Sequence, residues 1–187
     1  MKKKKEFDIF IKGEDIDLVV LTSEIVEQTN WYNWFNDEEN TKHMQQHYFP
    51  NSREKQLKYF RDEIEGNNKK IQLGIVKQSN NLFCGVISLS NINYLNRNCE
   101  IGLIIGEAEA RKLKYFIEAV KLISKHAFDT LNLNRIYSGT ISKEIDELFC
   151  RVLGFEHEGV LRQAVFKNGA YHDIYQHALL KENQKTL

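Results

Sequence analysis

Residues 98–130 read NCEIGLIIGEAEARKLKYFIEAVKLISKHAFDT, and this stretch decides the fold. It opens with an apolar run at 99–105, whose nearly continuous hydrophobicity predicts a strand buried on both faces. After a short loop at 106–110, apolar residues recur every three or four positions, which predicts a long helix with one core-facing stripe. That stripe consists of Leu113, Phe116, Ile117, Val120, Ile123 and Ala127. Where a strand leads through a short loop into a helix, the first N–H groups of the helix have no partner within the helix and point past the end of the strand. Such a position favours the binding of an anion.

The same stretch resembles the GCN5-related N-acetyltransferases (GNAT). In that family the strand pairs through its backbone with the pantetheine of acetyl-CoA, and a loop with the pattern Gln/Arg-x-x-Gly-x-Gly/Ala surrounds the pyrophosphate. Here the loop is RKLKYF, residues 111–116, and it is followed by Ile-Glu-Ala where the family usually has Thr-Glu-Ala. Arg111 keeps the family pattern, whereas Lys114 takes the glycine position and Phe116 the Gly/Ala position. Glycine lets a backbone approach a phosphate closely, so the resemblance implies a cofactor loop of altered shape.

The resemblance implies that acetyl-CoA is the co-substrate. It assigns cofactor contacts to the strand, the loop and the position of a pantetheine-binding asparagine, here a lysine: Leu103, Ile104, Ile105, Arg111, Lys112, Leu113, Lys114, Tyr115, Phe116 and Lys143. The closing stretch, GFEHEGVLRQAVFKNGAYHDIYQHALLKEN at 154–183, resembles one branch of the family in particular. That branch includes the ribosomal-protein N-terminal acetyltransferases and the acetyltransferases of nucleotide-linked amino sugars.

Two residues are predicted to move protons. Glu100, at the start of the central strand, takes the place of the family's general base, although such a side chain also commonly points to solvent or pairs with a lysine. Counting back from Gly154 and Phe155, the position of the family's tyrosine acid falls on Cys150. A thiol of pKa about 8.5 is able to protonate a departing thiolate, but a buried cysteine is more often a small hydrophobic core residue.

The acceptor side is predicted from the loop at 44–52, which contains the chain's single proline. The resemblance makes this loop a wall of the acceptor pocket and makes His47 and Tyr48 the candidate substrate contacts. The alternative is that both are ordinary surface or hinge residues.

The remaining elements alternate in a way that predicts an α+β fold. Strands are predicted at 7–12, 16–21, 70–78, 82–90 and 134–141, and helices at 25–35, 38–43, 52–65 and 144–152. The turn Asn168-Gly169 predicts a closing hairpin, and Gly154 predicts a left-handed helix end. The order matches the GNAT fold, a mixed, mostly antiparallel sheet flanked by helices. We expect one domain over residues 1–187, with a disordered basic tail at 1–6.

Composition limits the remaining function classes. The chain has 187 residues, 42% hydrophobic and 28% charged, with zero formal charge, so no bulk charge attracts nucleic acid or an anionic membrane. Cys84, Cys99 and Cys150 are odd in number, which fits a reducing compartment, and we expect a cytoplasmic protein. His43 and His47 are four residues apart, a spacing that can place two metal ligands on one helix face, but no glutamate lies between them as in the metalloprotease pattern, and we expect no metal site. A homodimer is an option that the sequence leaves open.

The sequence therefore predicts an enzyme that transfers acetyl from acetyl-CoA to a primary amine of a small molecule, such as a nucleotide-linked amino sugar. Two alternatives remain at this point. One is a non-catalytic binding protein with the same fold and a degenerate loop. The other is an acetyltransferase of protein N-termini.

Overall fold

A computed structural model describes residues 6–44 and 49–186. The candidate acceptor residues His47 and Tyr48, and the predicted basic tail apart from Glu6, lie outside these ranges. The described chain forms one sheet of eight strands. The strands are β1 (Ile9–Lys12), β2 (Ile16–Val20), β3 (Ile71–Lys77), β4 (Leu82–Asn93), β5 (Asn98–Ile105), β6 (Arg135–Thr140), β7 (Glu156–Lys167) and β8 (Ala170–Leu180).

The sheet has the order β1-β2-β3-β4-β5-β6-β8-β7. Every neighbouring pair is antiparallel except β5 and β6, which are parallel. That one parallel pair is short, because only Asn98–Glu100 of β5 faces β6, opposite residues 135–137. Beyond Glu100 the two strands separate, and a wedge opens in the middle of the sheet. The predicted fold class, a mixed and mostly antiparallel sheet, is confirmed.

Helices cover both faces of the sheet. They are α1 (Ser23–Gln28), α2 (Trp31–Trp34), α3 (Glu38–Thr41), α4 (Arg53–Tyr59), α5 (Leu113–Asp129) and α6 (Lys143–Leu153), with a π-helical segment at Phe60–Ile64. One core cluster lies between the sheet and α5 and α6. A second cluster lies on the opposite face and contains the buried side chains of Trp31, Trp34 and Phe60. Both tryptophans are therefore core residues.

Local signals placed most element ends correctly. Ser52 accepts a hydrogen bond from the N–H of Lys55 and begins α4, Gly154 ends α6 at φ 70°, and the hairpin turns at Asn168 and Gly169 with φ of 50° and 80°. The single helix predicted at 25–35 is wrong, because the chain breaks between α1 and α2. Thr29 is extended there, and its hydroxyl donates to the carbonyl of Ile25, a local bond that competes with helix continuation.

The structure corrects two expectations about burial. β5 is not buried along both faces: Cys99 and Ile101 are buried, whereas Gly102 is exposed and Glu100 half-buried, because the wedge leaves this part of the strand uncovered. The predicted core-facing stripe of α5 is also wrong in the first turn of the helix. Leu113 is 53% exposed, whereas Tyr115 is only 5% exposed and enters the core. The first turn of α5 borders the wedge, so its apolar side chains there do not face the core.

No helix in the described part of the chain is long and apolar enough to cross a membrane.

Candidate active site

The wedge between β5 and β6 forms a cavity of about 590 Å³. β5 and β6 provide its sides, and the start of α5 and one face of α6 close it. Its lining includes Glu100, Gly102, Leu103, Ile104, Ile105, Arg111, Lys112, Leu113, Phe116, Ser138, Gly139, Thr140, Ile145, Leu148, Phe149 and His177. Because β5 and β6 are not paired beyond Glu100, this edge of β5 presents backbone hydrogen-bonding groups to a ligand.

Polar and positive groups gather where α5 begins. Lys112 caps the helix without a side-chain hydrogen bond, and the N–H groups of Leu113 and Lys114 have no acceptor in the described chain. Such a helix start favours an anion through its open N–H groups and its dipole. Arg111 lies beside it, donating from Nη2 to the carbonyl of Gly106 at 3.3 Å and pairing with Asp37 at 3.7 Å.

Lys114, at the predicted glycine position, turns away from the cavity. Its Nζ donates to Oδ2 of Asp15 at 2.7 Å and lies 4.9 Å from the centre of the Tyr115 ring. Glu118 supports the same arrangement, since its Oε1 accepts from the N–H of Glu14 at 2.6 Å and from that of Asp15 at 3.0 Å. The lysine charge is therefore directed to the turn between β1 and β2.

Phe116 lies between the core and the cavity. Its ring packs edge-to-face on Phe149, with centroids 5.5 Å apart, and it is half-buried against the first core cluster. It also lines the cavity. The bulk that replaces the family's small residue thus narrows the space beside the first turn of α5.

The loop before α5 is fixed by an aromatic contact. Trp34 donates from Nε1 to Oε1 of Glu107 at 2.9 Å, and its ring stacks on Phe83 at 5.4 Å. Gly106 lies so close to this ring that a Cβ there would be 2.0 Å from Cδ2 of Trp34. The end of β5 therefore requires glycine at 106, and the orientation of the loop follows from α2.

A second cavity, of about 280 Å³, lies on the other face of β5. Its lining comprises Phe35, Met44, Tyr59, Lys70, Gln72, Val86, Ser88, Ser90 and residues 100–104. Glu100, Gly102 and their neighbours in β5 line both cavities. Glu100 also accepts a hydrogen bond from Nδ2 of Asn91 at 2.9 Å, which holds its carboxylate at the boundary between the two spaces.

A buried histidine that sequence reasoning missed lines the first cavity. His177, on β8, contacts Oδ1 of Asp146 through Nδ1 at 2.8 Å, and the other oxygen of Asp146 contacts Nδ1 of His157 at 2.9 Å. Nε2 of His177 is buried without a hydrogen-bond partner in the described chain. Burial lowers the pKa of His177, although the Asp146 carboxylate opposes this. The two residues are far apart in sequence, so no local motif predicts the pair.

Several predicted site residues are not brought to the cavity. Tyr115 belongs to the core, and Lys143 is exposed at the start of α6. The cavity face of α6 presents Ile145, Leu148 and Phe149 rather than Cys150. Burial, with a smaller effect of the Asp146 charge, raises the pKa of the Cys150 thiol.

The other two cysteines are structural. Cys84 and Cys99 are fully buried, and burial raises the pKa of each thiol to about 12. Among residues 6–44 and 49–186, no group of three or more histidine, cysteine, aspartate or glutamate side chains is arranged to hold a metal ion.

Comparison with known proteins identifies related sequences. Residues 18–145 match the family described as acetyltransferase (GNAT) domain. A putative ribosomal N-acetyltransferase, YdaF of Bacillus subtilis (strain 168), is 35% identical over 99 residues, which are 52% of this chain and 54% of the relative. The match thus spans about half of that relative's length. The probable N-acetyltransferase YjcK of the same organism is 27% identical over 143 residues, 74% of this chain and 77% of the relative.

Solved structures share the architecture. The spermidine N-acetyltransferase from Vibrio cholerae, determined in complex with CoA and spermine, superposes with a TM-score of 0.81 at 20% identity. The superposition covers 92% of this chain and 99% of that one. At this identity the likeness concerns the fold alone.

Proposed function

This chain belongs to the GNAT acetyltransferase family, and from that premise we propose that it transfers the acetyl group of acetyl-CoA to a primary amine. The observation that carries the proposal is the meeting of two cavities at Glu100. A transfer reaction requires a donor and an acceptor on either side of one reacting point. The larger cavity suits the donor and the smaller one the acceptor amine.

The residues of the larger cavity fit acetyl-CoA. The unpaired edge of β5 at 103–105 offers backbone groups to the amides of the pantetheine arm. Arg111, Lys112 and the open N–H groups at the start of α5 offer charge and donors to the pyrophosphate. Phe116 narrows the space beside the first turn of α5, so we expect it to keep a bound pyrophosphate farther from the helix than a glycine loop would. The resemblance also assigns Lys114, Tyr115 and Lys143 to the cofactor, but these residues do not line the cavity, and we do not include them in the proposed cofactor site.

Glu100 is proposed as the general base. When bound, acetyl-CoA supplies the thioester carbon that the amine attacks. Glu100 accepts a proton from the acceptor ammonium, directly or through a water, and so provides the neutral amine. The amine nitrogen then bonds to the acetyl carbon and the C–S bond breaks. The nitrogen loses a second proton as the amide forms, and the leaving thiolate gains one proton to become the thiol. Cys150 stays a sequence-based prediction for that proton donor, and His177 is the titratable side chain of β8 that lines the same cavity.

The acceptor is proposed to be a small molecule. A cavity of about 280 Å³ suits one small amine or one sugar unit. The closing stretch at 154–183, with its resemblance to the branch that modifies nucleotide-linked amino sugars, supports an acceptor of that kind. His47 and Tyr48 remain proposed contacts from the same resemblance. We also propose a cytoplasmic location, which the three free cysteines support.

Calorimetry with acetyl-CoA, combined with an assay of thiol release in the presence of amines, tests the proposal. We expect saturable binding of acetyl-CoA. We expect Glu100→Gln to lower kcat by about a hundredfold or more and to leave the acetyl-CoA dissociation constant nearly unchanged, because the substitution removes the base and keeps the shape. The matched control is Glu63→Gln, an exposed position on the π-helical segment. No heat at millimolar acetyl-CoA, or equal rates for Glu100→Gln and wild type at every pH, would refute the proposal.

A further inference from the structure

The floor of the acceptor cavity is one face of three paired strands. Gln72, Ser88 and Gly102 lie opposite one another on β3, β4 and β5. Ser90 and Glu100 form the next row on the same face. Adjacent strands are about 4.8 Å apart, so β3 and β5 are separated by about 10 Å. A ligand lying across this floor therefore meets β5 at one end and β3 at the other.

The β5 end of the floor is negative and the β3 end is positive. Glu100 is the carboxylate among the described residues that line the acceptor cavity. Lys70, immediately before β3, lines the opposite end. In the described part of the chain, no carboxylate forms an ion pair with Lys70. Its positive charge is thus directed to the cavity without an internal counter-charge.

Two neutral residues hold Lys70 in place. Its Nζ donates to the phenol oxygen of Tyr59 at 2.6 Å and lies 4.6 Å from the centre of the same ring. The phenol in turn donates to Oε1 of Gln72 at 3.0 Å. One of the three ammonium donors is used in this way, and the other two have no acceptor in the described residues. Lys70 is therefore oriented but not neutralised.

The position of Tyr59 beside the acceptor cavity follows from the end of α4. α4 ends at Tyr59 and continues as the π-helical segment Phe60–Ile64, in which the N–H of Glu65 donates to the carbonyl of Phe60 at 2.9 Å. Phe60, where this segment begins, is buried in the second core cluster. Tyr59 packs against the same cluster and also lines the cavity.

We propose that the acceptor is an amine that carries an anionic group, a carboxylate or a phosphate, and that Lys70 binds this group while the amine faces Glu100. The inference rests on the proposed function and names the class of acceptor for the same site. An amine and an anion about two strands apart complement the two ends of the floor. A linear diamine does not, because its second ammonium would lie beside Lys70 and be repelled.

Four acceptors of similar length test the charge preference: butylamine, 1,4-diaminobutane, 4-aminobutanoate and 3-aminopropyl phosphate. For each, kcat/KM is measured by thiol release, and the dissociation constant by ligand-observed NMR with CoA present. We expect at least one of the two anionic acceptors to be favoured over butylamine by about tenfold or more, and the diamine to be weakest. The ratio between the carboxylate and the phosphate then identifies which anion the site prefers.

Substitutions at Lys70 assign the preference to this side chain. Lys70→Glu is expected to reverse the order, so that the diamine binds better than 4-aminobutanoate, and Lys70→Met to remove the difference between charged and neutral acceptors. The matched control is Lys69→Glu, which makes the same charge change at an exposed neighbour outside the lining and is expected to keep the wild-type order. Circular dichroism and the melting temperature verify that each variant is folded.

The two readouts separate the inference from the proposed function. Equal binding of all four acceptors, preference for the diamine, absence of any acceptor binding, or an unchanged order in both Lys70 variants would overturn the inference. Binding with the expected order and its reversal, but without acetylation of any acceptor, would refute the proposed function and leave the inference standing. Acetylation of the acceptors without a charge preference would support the proposed function and overturn the inference about Lys70.

Discussion

Phe116 lies at the border of the core and the larger cavity, so replacing it is expected to affect stability and cofactor binding in opposite directions. It packs on Phe149 in the core and also narrows the larger cavity. We expect Phe116→Ala to lower the acetyl-CoA dissociation constant several-fold, because the first turn of α5 becomes accessible to the pyrophosphate. We expect the same change to reduce the free energy of unfolding by about 2 kcal/mol, since a half-buried ring is lost. Calorimetry and denaturant unfolding measure the two effects.

A matched control separates packing from binding. Phe155 contacts the same ring of Phe149, with centroids 5.0 Å apart, but it does not line the cavity. Phe155→Ala should cost about 3 kcal/mol or more of stability and leave cofactor affinity unchanged. If Phe116→Ala binds acetyl-CoA no better than Phe155→Ala does, the ring does not restrict the cofactor.

The family resemblance selects Glu100, Arg111, Lys112 and Phe116 through one continuous stretch of strand, loop and helix start, and all four line the cavity. Their roles there stay predictions. The pair of His177 and Asp146 and the contact of Lys70 with Tyr59 join distant segments. Such contacts depend on how elements pack, and neither residue type nor spacing in one sequence encodes them.

At the scale of elements, the start of α5 predicts how salt affects cofactor affinity. Lys112 lines the cavity, whereas Lys114 is paired with Asp15. We expect the affinity for acetyl-CoA to fall between about 50 mM and about 500 mM salt, because the Debye length shortens. Lys112→Ala should weaken binding at low salt and flatten this dependence, and Lys114→Ala should change neither. Calorimetry at the two salt concentrations measures the slope, and equal slopes in all three proteins would contradict the assignment.

The elements themselves were mostly predictable, and the errors have physical causes. Alternation and turn residues predict the β3–β4 and β7–β8 hairpins correctly, although β4 runs on to Asn93, beyond the predicted end at residue 90. The apolar periodicity of α5 predicts the helix. It does not show whether an apolar side chain at the start of the helix faces the core or the wedge between β5 and β6. Leu113 therefore faces the cavity, where an apolar side chain is also favourable, and Tyr115 takes the core position.

At the scale of the whole molecule, the histidines predict how stability depends on pH. Burial lowers the pKa values of His43, His126 and His177 below the usual value. The unfolded chain then binds protons more readily than the folded one, so the free energy of unfolding is highest above about pH 6.5 and declines as the pH falls below it. We expect the free energy of unfolding to decline between about pH 7.5 and about pH 5.5, measured by denaturant unfolding.

Variants show which histidine is responsible. His177 is the most deeply buried of the three, and it faces Asp146, with His157 on the other side of that carboxylate. His177→Gln should lower stability at neutral pH and make its pH dependence shallower. His126→Gln, near Phe10, should have a smaller effect on the slope. A slope for His177→Gln equal to that of the wild type would mean that His177 titrates alike in the folded and unfolded chains.

The two cavities on either face of β5 have a consequence for how the substrate specificity of such a protein evolves. The larger cavity is also lined by Glu39, Asn40, His43 and Met44, in and just after α3. Apart from these and β5, the described lining of the smaller cavity comes from residues 35–90 and that of the larger cavity from residues 111–177. The side chains that line the two cavities are therefore encoded by largely separate segments of the gene. On the proposed assignment, a mutation or recombination event upstream of β5 would change the smaller cavity and keep the lining of the larger one. A change of acceptor would then leave the donor site unchanged.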